Sequence, residues 1–502
     1  MAPDARTTTL PAAIHRILVI GASRSGVSAA VVLARLGKAV TLSDRRPLTQ
    51  LSSAEEAARE GIAFASEEGA LTLLPSIDLV VKSPGVPGEI ALVSEARRRG
   101  IPVWSEIELA YALCVNPFDA VTGTNGKTTT TALLGHLFAT AGRPVRVLGN
   151  IGTAATSALG AVSPDEEIVL EVSSFQLEDV HEFRPAAAVF LNLTPDHLDR
   201  HGSMERYLAC KANLFARQGP SDVAILNLAD PAVAGLGREL AVRPAGPRVL
   251  FFSALGRGPL PIERVGSGDA AGPRSGGRVP TGDVLADSWV EHGWLHLLGQ
   301  PGLPMAELQL RGLHNMENCL AAATAGLARG LERDAVLEGL RSFAGVAHRL
   351  ERAGIVHGVT YVNDSKATNV EATLKALDAY PERTHLILGG RDKASDYRPV
   401  ARASADTCVA VYLIGEATPL IEAAFVEVRE REGRTGVPVP QALGDLETAV
   451  RAAAGRARQG DTVLLAPACA SFDQYDNFEE RGEHFRAIVG HLSRIVDERG
   501  GS

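Results

Sequence analysis

The segment Thr122-Gly-Thr-Asn-Gly-Lys-Thr-Thr129 decides the central fold, because it follows a strand signal over 119–121 and precedes a helix signal over 128–141. Backbone N–H groups in such a turn can surround phosphate oxygens. Lys127 can reach the β- and γ-phosphates, and the Thr128 hydroxyl can bind Mg²⁺. The spacing departs from the common G-x-x-x-x-G-K-[ST] pattern, since position 121 is valine. The sequence therefore predicts a shorter variant of a nucleoside-triphosphate-binding loop.

Strand and helix signals alternate on both sides of this loop. Short apolar runs such as Ile17–Ile20 and Ile168–Val172 predict buried strands. The resulting βαβ rhythm is typical of parallel sheets, and 502 residues are enough for about three domains. We predict an α/β protein with three domains: a Rossmann-like N-terminal domain over 1–106, a central P-loop ATPase domain over 107–347 and a Rossmann-like C-terminal domain over 348–502.

Composition and charge exclude several classes of protein. The net charge of −9 argues against a general nucleic-acid binder, because such proteins carry a basic stripe. The five cysteines form no C-x-x-C pair, so they predict neither a zinc site nor a redox motif and fit a reducing compartment. No segment is long and apolar enough for a membrane helix, and the N-terminus lacks the apolar core of a signal peptide. We expect a cytoplasmic protein that binds neither nucleic acid nor membrane.

A second glycine-rich turn, Gly21–Gly26, follows the first predicted strand. A helix N-terminus after such a turn is suited to phosphate. The dinucleotide fingerprint G-x-G-x-x-G needs a glycine where this chain has Ser23, whose Cβ would crowd a pyrophosphate. Asp44 ends the next strand, where a carboxylate can bind a ribose hydroxyl. We expect a nucleotide other than NAD here, and a Rossmann-like module without a ligand is the alternative.

Acidic and histidine residues follow two of the central strands. Glu171 lies at the strand edge where ligands of open α/β sheets bind, which makes it a candidate Mg²⁺ ligand. By spacing alone, each of four residues in the next loop is as suited to capping a helix as to binding metal: Asp196, His197, Asp199 and His201. Zinc is not favoured, because no cysteine accompanies these histidines. Lys211 lies in an amphipathic helical segment, and its spacing alone predicts a solvated surface position.

Longer motifs extend over nearly the whole chain. They are TGTNGKTT (122–129), EVSSFQLE (171–178), NLTPDHLDRHGS (192–203), YLACKANLF (207–215), GLHNMENCLAA (312–322), HRLE (348–351), NDSKATN (363–369) and APACASFDQYDNFEERG (466–482). On these motifs the chain resembles the Mur ligase family, and the last two are most similar to its D-glutamate-adding branch. Only the Gly-, Pro- and Ser-rich stretch 256–282 falls outside the resemblance, which predicts an insertion there.

The resemblance implies a reaction and a role for each domain. ATP would phosphorylate the carboxylate of UDP-N-acetylmuramoyl-L-alanine, and the amine of D-glutamate would attack the acyl phosphate, in the synthesis of a peptidoglycan precursor. The N-terminal domain would bind the UDP part, the central domain ATP with two Mg²⁺ ions, and the C-terminal domain glutamate. The enzyme would be a monomer. The residues themselves do not distinguish D- from L-glutamate.

The resemblance also implies roles for individual residues. The catalytic residues would be Lys127, Lys211 (as a carbamylated lysine) and His197. ATP would be held by Gly123, Thr124, Asn125, Gly126, Lys127, Thr128, Thr129, Asn315, Asn318, Arg349 and Asp364. Mg²⁺ would be bound by Thr128, Glu171, His197 and Lys211. The two other substrates would contact Ser23, Arg24, Asp44, Arg45, Ser83, Gly85, Asn150, Lys366, Thr368, Lys393, Ser471 and Phe478.

Three other interpretations compete with this one. A sibling Mur ligase or a folylpolyglutamate synthase is the nearest, but the NDSKATN motif favours glutamate addition. A regulatory nucleotide-binding protein without catalysis is opposed by the complete set of predicted phosphate and metal residues. An NAD-dependent oxidoreductase is opposed by Ser23. Two departures from the family pattern stand out: the loop that ends at Lys393 is less regular, and Phe472 replaces a smaller aliphatic side chain.

Overall fold

A computed structural model describes residues 10–47, 50, 54–150, 153–159, 162–258, 284–393 and 395–500. These residues form two compact units, one within Met1–Gln309 and His314–Phe343 and the other within Leu310–Leu313 and Ala344–Ser502. Three sheets, mostly parallel and joined through helices, confirm the predicted α/β class. Most of the predicted insertion, residues 259–282, lies outside the described residues. Within the described ranges, no helix combines the length and apolar character that a membrane span requires.

The first unit begins with a five-stranded parallel sheet of order β3-β2-β1-β4-β5. Its strands are β1 (Arg16–Ile20), β2 (Ala39–Ser43), β3 (Ala63–Ala65), β4 (Leu79–Lys82) and β5 (Val103–Ser105), and its helices are α1 (Arg24–Arg35), α2 (Ala54–Arg59), α3 (Glu67–Leu73), α4 (Ala91–Arg98) and α5 (Glu106–Leu113). The chain leaves β1 toward β2 on one side and reaches β4 on the other. The turns after β1 and β4 therefore border the crevice where ligands bind in such sheets.

The central sheet completes the first unit and has the order β14-β13-β12-β11-β10-β9-β6-β8-β7. Its strands are β6 (Phe118–Thr122), β7 (Val145–Gly149), β8 (Glu167–Glu171), β9 (Ala187–Phe190), β10 (Val223–Asn227), β11 (Arg248–Ser253), β12 (Ser288–Glu291), β13 (Trp294–Leu297) and β14 (Gln300–Pro304). The helices are α6 (Lys127–Thr140), α7 (Ala155–Ala158), α8 (Ser174–Leu177), α9 (Leu198–His201), α10 (Met204–Ala212), α11 (Pro231–Ala241), α12 (Leu313–Ala328) and α13 (Arg333–Ser342). β6 and β8 are buried along their whole length, as expected for parallel strands covered on both faces.

The second unit contains a six-stranded sheet of order β15-β16-β20-β17-β18-β19. Its strands are β15 (Glu351–Val356), β16 (Val359–Asn363), β17 (Thr384–Gly389), β18 (Cys408–Ile414), β19 (Gln441–Gly444) and β20 (Thr462–Leu465), and its helices are α14 (Val370–Ala379), α15 (Arg398–Thr407), α16 (Thr418–Glu430), α17 (Leu446–Arg456) and α18 (Phe478–Gly500). Only β15 runs antiparallel, against β16. The loops after β16, β17 and β20 carry the residues predicted to bind glutamate. Because these three strands are parallel, the loops leave the sheet at the same edge.

Candidate active site

The predicted phosphate loop connects β6 to the N-terminus of α6. Gly126 has a φ of 84°, a left-handed conformation that favours glycine, and a Cβ there would also collide with Asn318 Oδ1. The ammonium group of Lys127 bends back over the loop and donates to Gly123 O at 2.9 Å and to Thr124 O at 2.8 Å. A nucleotide phosphate at this helix N-terminus would offer Lys127 charged acceptors in place of these carbonyls.

Asn192, which was not among the predicted site residues, holds the phosphate loop to the end of β9. Its Oδ1 accepts from Asn125 N at 2.8 Å, and its Nδ2 donates to Asn125 O at 3.2 Å. Thr124 N donates to Asn192 O at 2.9 Å, and Thr124 Oγ1 donates to Thr194 O at 3.2 Å. These bonds fix the loop that begins at Thr194 directly beside the phosphate loop.

Two asparagines predicted to contact ATP lie behind the phosphate loop. Asn318 Oδ1 accepts from Thr130 Oγ1 at 3.1 Å, and its Nδ2 donates to Asn315 Oδ1 at 3.0 Å. Both asparagines are buried on α12, and the collision described for Gly126 shows how closely Asn318 approaches the loop. Their described contacts therefore support the shape of the loop, and a contact with adenine stays a prediction.

Glu171 is the last residue of β8 and is almost fully buried. Its Oε1 accepts from Asn150 Nδ2 at 2.8 Å, which brings together two residues predicted for metal and substrate. Its Oε2 is buried and has no hydrogen-bond partner among the described residues. A buried polar atom without a partner costs about 1–3 kcal/mol, and a cation would satisfy it. Glu171 thus fits a Mg²⁺ ligand.

Lys211 is also buried, so the surface position that its spacing alone predicted is wrong. Its Nζ donates to Gly123 O at 2.8 Å, lies 3.4 Å from Thr122 Oγ1 and stands 4.7 Å from the centre of the Tyr207 ring. Burial and the nearby charge of Lys127 hold the pKa of Lys211 well below its usual value. The neutral amine is the form that can react with CO₂, so the environment fits a carbamylated lysine.

The two histidines of the loop after β9 differ in exposure and in contacts. His197 has a positive φ of 51°, its side chain is half exposed, and its ring meets the edge of Phe175 at 4.9 Å. His201 is buried, and its ring stacks on the Phe175 ring with 5.3 Å between the ring centres. Its Nε2 forms a hydrogen bond with Ser174 Oγ at 2.9 Å. Burial lowers the pKa of His201. His197 is accessible to a metal, whereas His201 supports the loop; the side chain of Asp199 lies outside the described residues.

A cysteine does accompany these histidines in space, contrary to the sequence-based argument against zinc. Potential ligand atoms of Glu178, His201 and Cys210 lie within 4.8 Å of one another. However, Glu178 Oε2 already accepts from Lys82 at 2.8 Å and from Arg200 at 3.0 Å. Two cations at this distance oppose a bound divalent ion. Burial also raises the pKa of Cys210, which disfavours the thiolate that zinc requires.

The first sheet carries a pocket of about 420 Å³ at its strand-order reversal. The residues that line it include Gly21, Ser23, Asp44, Arg45, Arg46, Ser83 and Gly85. Burial alone would raise the pKa of Asp44, but hydrogen bonds from Arg46 and from Ala22 N lower it to about 2. Arg46, which was not among the predicted residues, contacts both carboxylate oxygens of Asp44. Arg24 lies outside this pocket and lines the adjoining cleft of about 820 Å³.

The five residues predicted to bind glutamate lie in the second unit. Lys393 Nζ donates to Thr368 Oγ1 at 3.5 Å, and Lys366 Nζ stands 5.5 Å from the centre of the Phe478 ring. Ser471 is buried. These contacts bring four of the five predicted glutamate residues together in pairs. Two positively charged side chains beside a hydroxyl and an aromatic ring can bind a carboxylate.

Two further second-unit residues were predicted to position ATP. Burial raises the pKa of Asp364 to about 6, and its Oδ1 accepts from Leu350 N at 3.2 Å. Arg349 lies beside it in the chain segment before β15 and, through its charge, opposes this rise in pKa. A neighbouring buried cation, Arg481, was not predicted: it donates to Ser365 O at 2.9 Å and to Cys469 O at 3.3 Å, and so joins the loops after β16 and β20.

Comparison with known proteins identifies the family. The model of the Mur ligase middle domain matches residues 121–260, and the model of the Mur ligase, glutamate ligase domain matches residues 348–469. The UDP-N-acetylmuramoylalanine–D-glutamate ligase of Acidobacterium capsulatum is 42% identical over 475 residues, which cover 94% of this chain and 96% of that protein. The ligase of the same name from Pelotomaculum thermopropionicum is 42% identical over 480 residues, which cover 95% of this chain and 98% of that protein.

Solved structures share the fold. MurF from Acinetobacter baumannii matches with a TM-score of 0.57 at 15% identity, covering 96% of this chain and 94% of that one. The UDP-N-acetylmuramate-alanine ligase MurC of Thermotoga maritima matches with a TM-score of 0.54 at 16% identity, covering 95% of this chain and 99% of that one. At these identities the likeness concerns the fold alone. The match of two family models and the identity to relatives over nearly the whole length show that the chain belongs to the Mur ligase family.

Proposed function

We propose that this chain catalyses the ATP-dependent addition of D-glutamate to UDP-N-acetylmuramoyl-L-alanine, in the cytoplasmic synthesis of a peptidoglycan precursor. The observation that carries the proposal is the phosphate loop with the buried Glu171 and Lys211 beside it, in a chain 42% identical to ligases of that name. The domain over 1–106 would bind the UDP part, the domain over 107–347 ATP, and the domain over 348–502 glutamate. The enzyme would act as a monomer.

The reaction needs activation of a carboxylate, because joining it to an amine in water is uphill. An oxygen of the L-alanyl carboxylate attacks the γ-phosphorus of ATP, the bond to the bridging β,γ-oxygen breaks, and ADP leaves. The amine of D-glutamate then attacks the acyl carbon, loses a proton, and inorganic phosphate leaves. Phosphoryl transfer depends on positioning and charge neutralisation rather than on a protein nucleophile. The chain supplies positioning through Lys127 and the backbone N–H groups of its loop.

Four residues would hold two Mg²⁺ ions: Thr128, Glu171, His197 and Lys211. When bound, Mg²⁺ neutralises charge on the phosphate oxygens. Lys211 would join this set after its neutral Nζ adds to CO₂ and loses a proton, which gives an N-carboxylate anion. The low pKa of Lys211 and the buried, partnerless Oε2 of Glu171 support this arrangement.

Substrate contacts would divide between the two units. In the first unit, UDP would be bound by the pocket that Ser23, Asp44, Arg45, Ser83 and Gly85 line, with Arg24 in the adjoining cleft, while Asn150 would meet the remainder of that substrate. The phosphate loop would hold ATP together with Asn315 and Asn318 of α12. In the second unit, glutamate would be surrounded by Lys366, Thr368, Lys393, Ser471 and Phe478, and Arg349 and Asp364 would help to position ATP.

Phosphate release with each glutamate enantiomer tests the proposal. The purified protein is mixed with ATP, Mg²⁺ and UDP-N-acetylmuramoyl-L-alanine, and then with D- or L-glutamate. We expect one phosphate per ADP and a product heavier by one glutamyl residue, with D-glutamate only. Lys127→Ala serves as the inactive control. Phosphate release that does not depend on the UDP substrate, or a product formed from L-glutamate alone, would overturn the proposal.

A further inference from the structure

A guanidinium group joins the turn after β4 to the loop that carries His197. Arg200 belongs to α9, three residues after His197. Its Nη1 donates to Pro84 O at 2.9 Å, and its Nη2 donates to Val86 O at 3.0 Å. Val86 and its neighbour Gly85 line the pocket of the first sheet. One side chain therefore bridges the pocket and the loop beside the phosphate site.

The position of Arg200 is fixed by its surroundings. Its guanidinium lies 4.0 Å from the centre of the Phe175 ring, and its Nη2 also donates to Glu178 Oε2 at 3.0 Å. The same Phe175 ring contacts both His197 and His201. Phe175 is thus a common support for the guanidinium and for the loop that precedes it.

A second cation holds the same turn. Lys82 is fully buried and donates to Val86 O at 3.3 Å and to Glu178 Oε2 at 2.8 Å. Buried ion pairs are expensive to desolvate and contribute little net stability, so this cluster is poor evidence for a purely stabilising role. The arginine fork donates from two separate nitrogens to acceptors on the turn and to Glu178, and its planar face stacks on the Phe175 ring. A lysine donates its three N–H groups from a single point and has no planar face, so it cannot reproduce this arrangement.

We propose that Arg200 is a positioning residue that fixes the separation between the pocket turn and the His197 loop, so that one substrate molecule can occupy both. The inference rests on the proposed function, in which UDP-N-acetylmuramoyl-L-alanine places its nucleotide in the pocket and its carboxylate beside the phosphate loop. Arg200 acts through Pro84, Val86 and the His197 loop. Displacement of reacting atoms by about 1 Å lowers rates by roughly 10²-fold.

Arg97 offers a matched control. Its Nη1 donates to Gly88 O at 3.0 Å, at the far end of the same turn, and its Nη2 donates to Asp179 Oδ1 at 2.5 Å. Neither partner belongs to the His197 loop. Arg97→Lys therefore loosens the turn without breaking the bridge, whereas Arg200→Lys breaks the bridge and keeps the charge.

The experiment compares a ligand confined to the pocket with the substrate that spans both sites. UDP binding is measured by calorimetry, and kcat and KM are measured in the phosphate-release assay. For Arg200→Lys we expect kcat to fall by roughly 10²-fold, with the KM for the UDP substrate several-fold higher and the Kd of UDP within about twofold of wild type. For Arg97→Lys we expect kcat within about threefold of wild type.

Each other outcome counts against the inference in a distinct way. If UDP binding weakens as much as kcat/KM in Arg200→Lys, the residue only shapes the pocket. If kcat is unchanged in that variant, or falls equally in Arg97→Lys, the bridge has no positioning role. Should Arg200→Lys unfold, Phe175→Leu removes the ring that fixes the guanidinium and so loosens the bridge, and a normal kcat in it would overturn the inference. A wild-type protein that binds UDP and makes no ligase product would instead defeat the proposed function.

Discussion

Replacing Glu171 with glutamine removes one negative charge from the proposed metal site and nearly preserves the shape of the side chain. In the structure, Oε1 accepts from Asn150 Nδ2 at 2.8 Å, and Oε2 is buried without a partner among the described residues. The amide oxygen of glutamine can keep the bond to Asn150. The variant therefore replaces the second oxygen with an amide NH2 group, which removes the negative charge and cannot bind a metal ion.

Activity and stability should respond in opposite ways. A metal–carboxylate interaction contributes several kcal/mol to a charged transition state, and a loss of about 3–4 kcal/mol lowers kcat by roughly 10²–10³-fold. Without metal, the buried partnerless oxygen costs the folded state about 1–3 kcal/mol. Removing its charge should leave the free energy of unfolding equal to that of wild type or higher.

Two measurements check this prediction. Phosphate release is followed as a function of Mg²⁺ concentration, and urea unfolding is followed with a metal chelator present. We expect Glu171→Gln to show a lower kcat and a higher Mg²⁺ concentration at half-saturation, with no loss of unfolding free energy. Glu205→Gln, an exposed change of the same chemistry on α10, should match wild type in both assays. Coincident Mg²⁺ titrations of Glu171→Gln and wild type would refute the assignment of Glu171 as a ligand.

Three further predictions concern the phosphate loop and the second unit. Lys127→Ala should abolish phosphate release and leave the circular dichroism spectrum unchanged, because its ammonium group contacts loop carbonyls rather than the core; near-normal turnover would contradict this. Gly126→Ala should lower the free energy of unfolding by about 1–3 kcal/mol and weaken ATP binding, since it combines a positive φ with the collision at Asn318; unchanged urea and ATP titrations would contradict it. Burial raises the pKa of Asp364 from 3.8 to about 6, so the folded protein binds more protons than the unfolded chain between these pH values. The stability this group contributes is full below about pH 4 and is lost as the pH rises through 6, by up to about 3 kcal/mol. Asp364→Asn should remove that part of the pH dependence in urea unfolding, and a curve parallel to wild type would contradict the buried position.

The phosphate loop could be predicted from sequence because its signal is local. Glycines, Lys127 and Thr128 lie within one turn between a strand and a helix, so their spacing alone fixes their relation. Glu171 could be placed for a similar reason, since the carboxyl ends of neighbouring parallel strands meet at one sheet edge. Strands β12–β14, which pair antiparallel with one another, were missed because they are only four or five residues long and because β14 contains both glycine and proline.

Contacts between distant segments could not be predicted from spacing. The burial of Lys211 depends on how α10 packs against a loop more than eighty positions earlier in the chain, and nothing in its amphipathic segment encodes that packing. Cys210 lies near His201 because α9 and α10 pack against each other. The lack of a cysteine in the histidine loop itself therefore did not exclude a cysteine near His201 in the folded chain. Asn192 was passed over because an asparagine after a strand has no distinctive pattern, although it makes two bonds to Asn125.

The charges around one carbonyl group explain why this site suits a polyanion. Lys127 Nζ and Lys211 Nζ both donate to Gly123 O, at 2.9 and 2.8 Å, and the charge of Lys127 is one cause of the low pKa of Lys211. A triphosphate would draw Lys127 toward anionic oxygens and leave Gly123 O to Lys211 alone. Conversion of the neutral Lys211 amine to an N-carboxylate would place an anion close to the ammonium group of Lys127. Each change brings negative charge to Lys127, so nucleotide binding and carbamylation should both lower the electrostatic free energy of the loop.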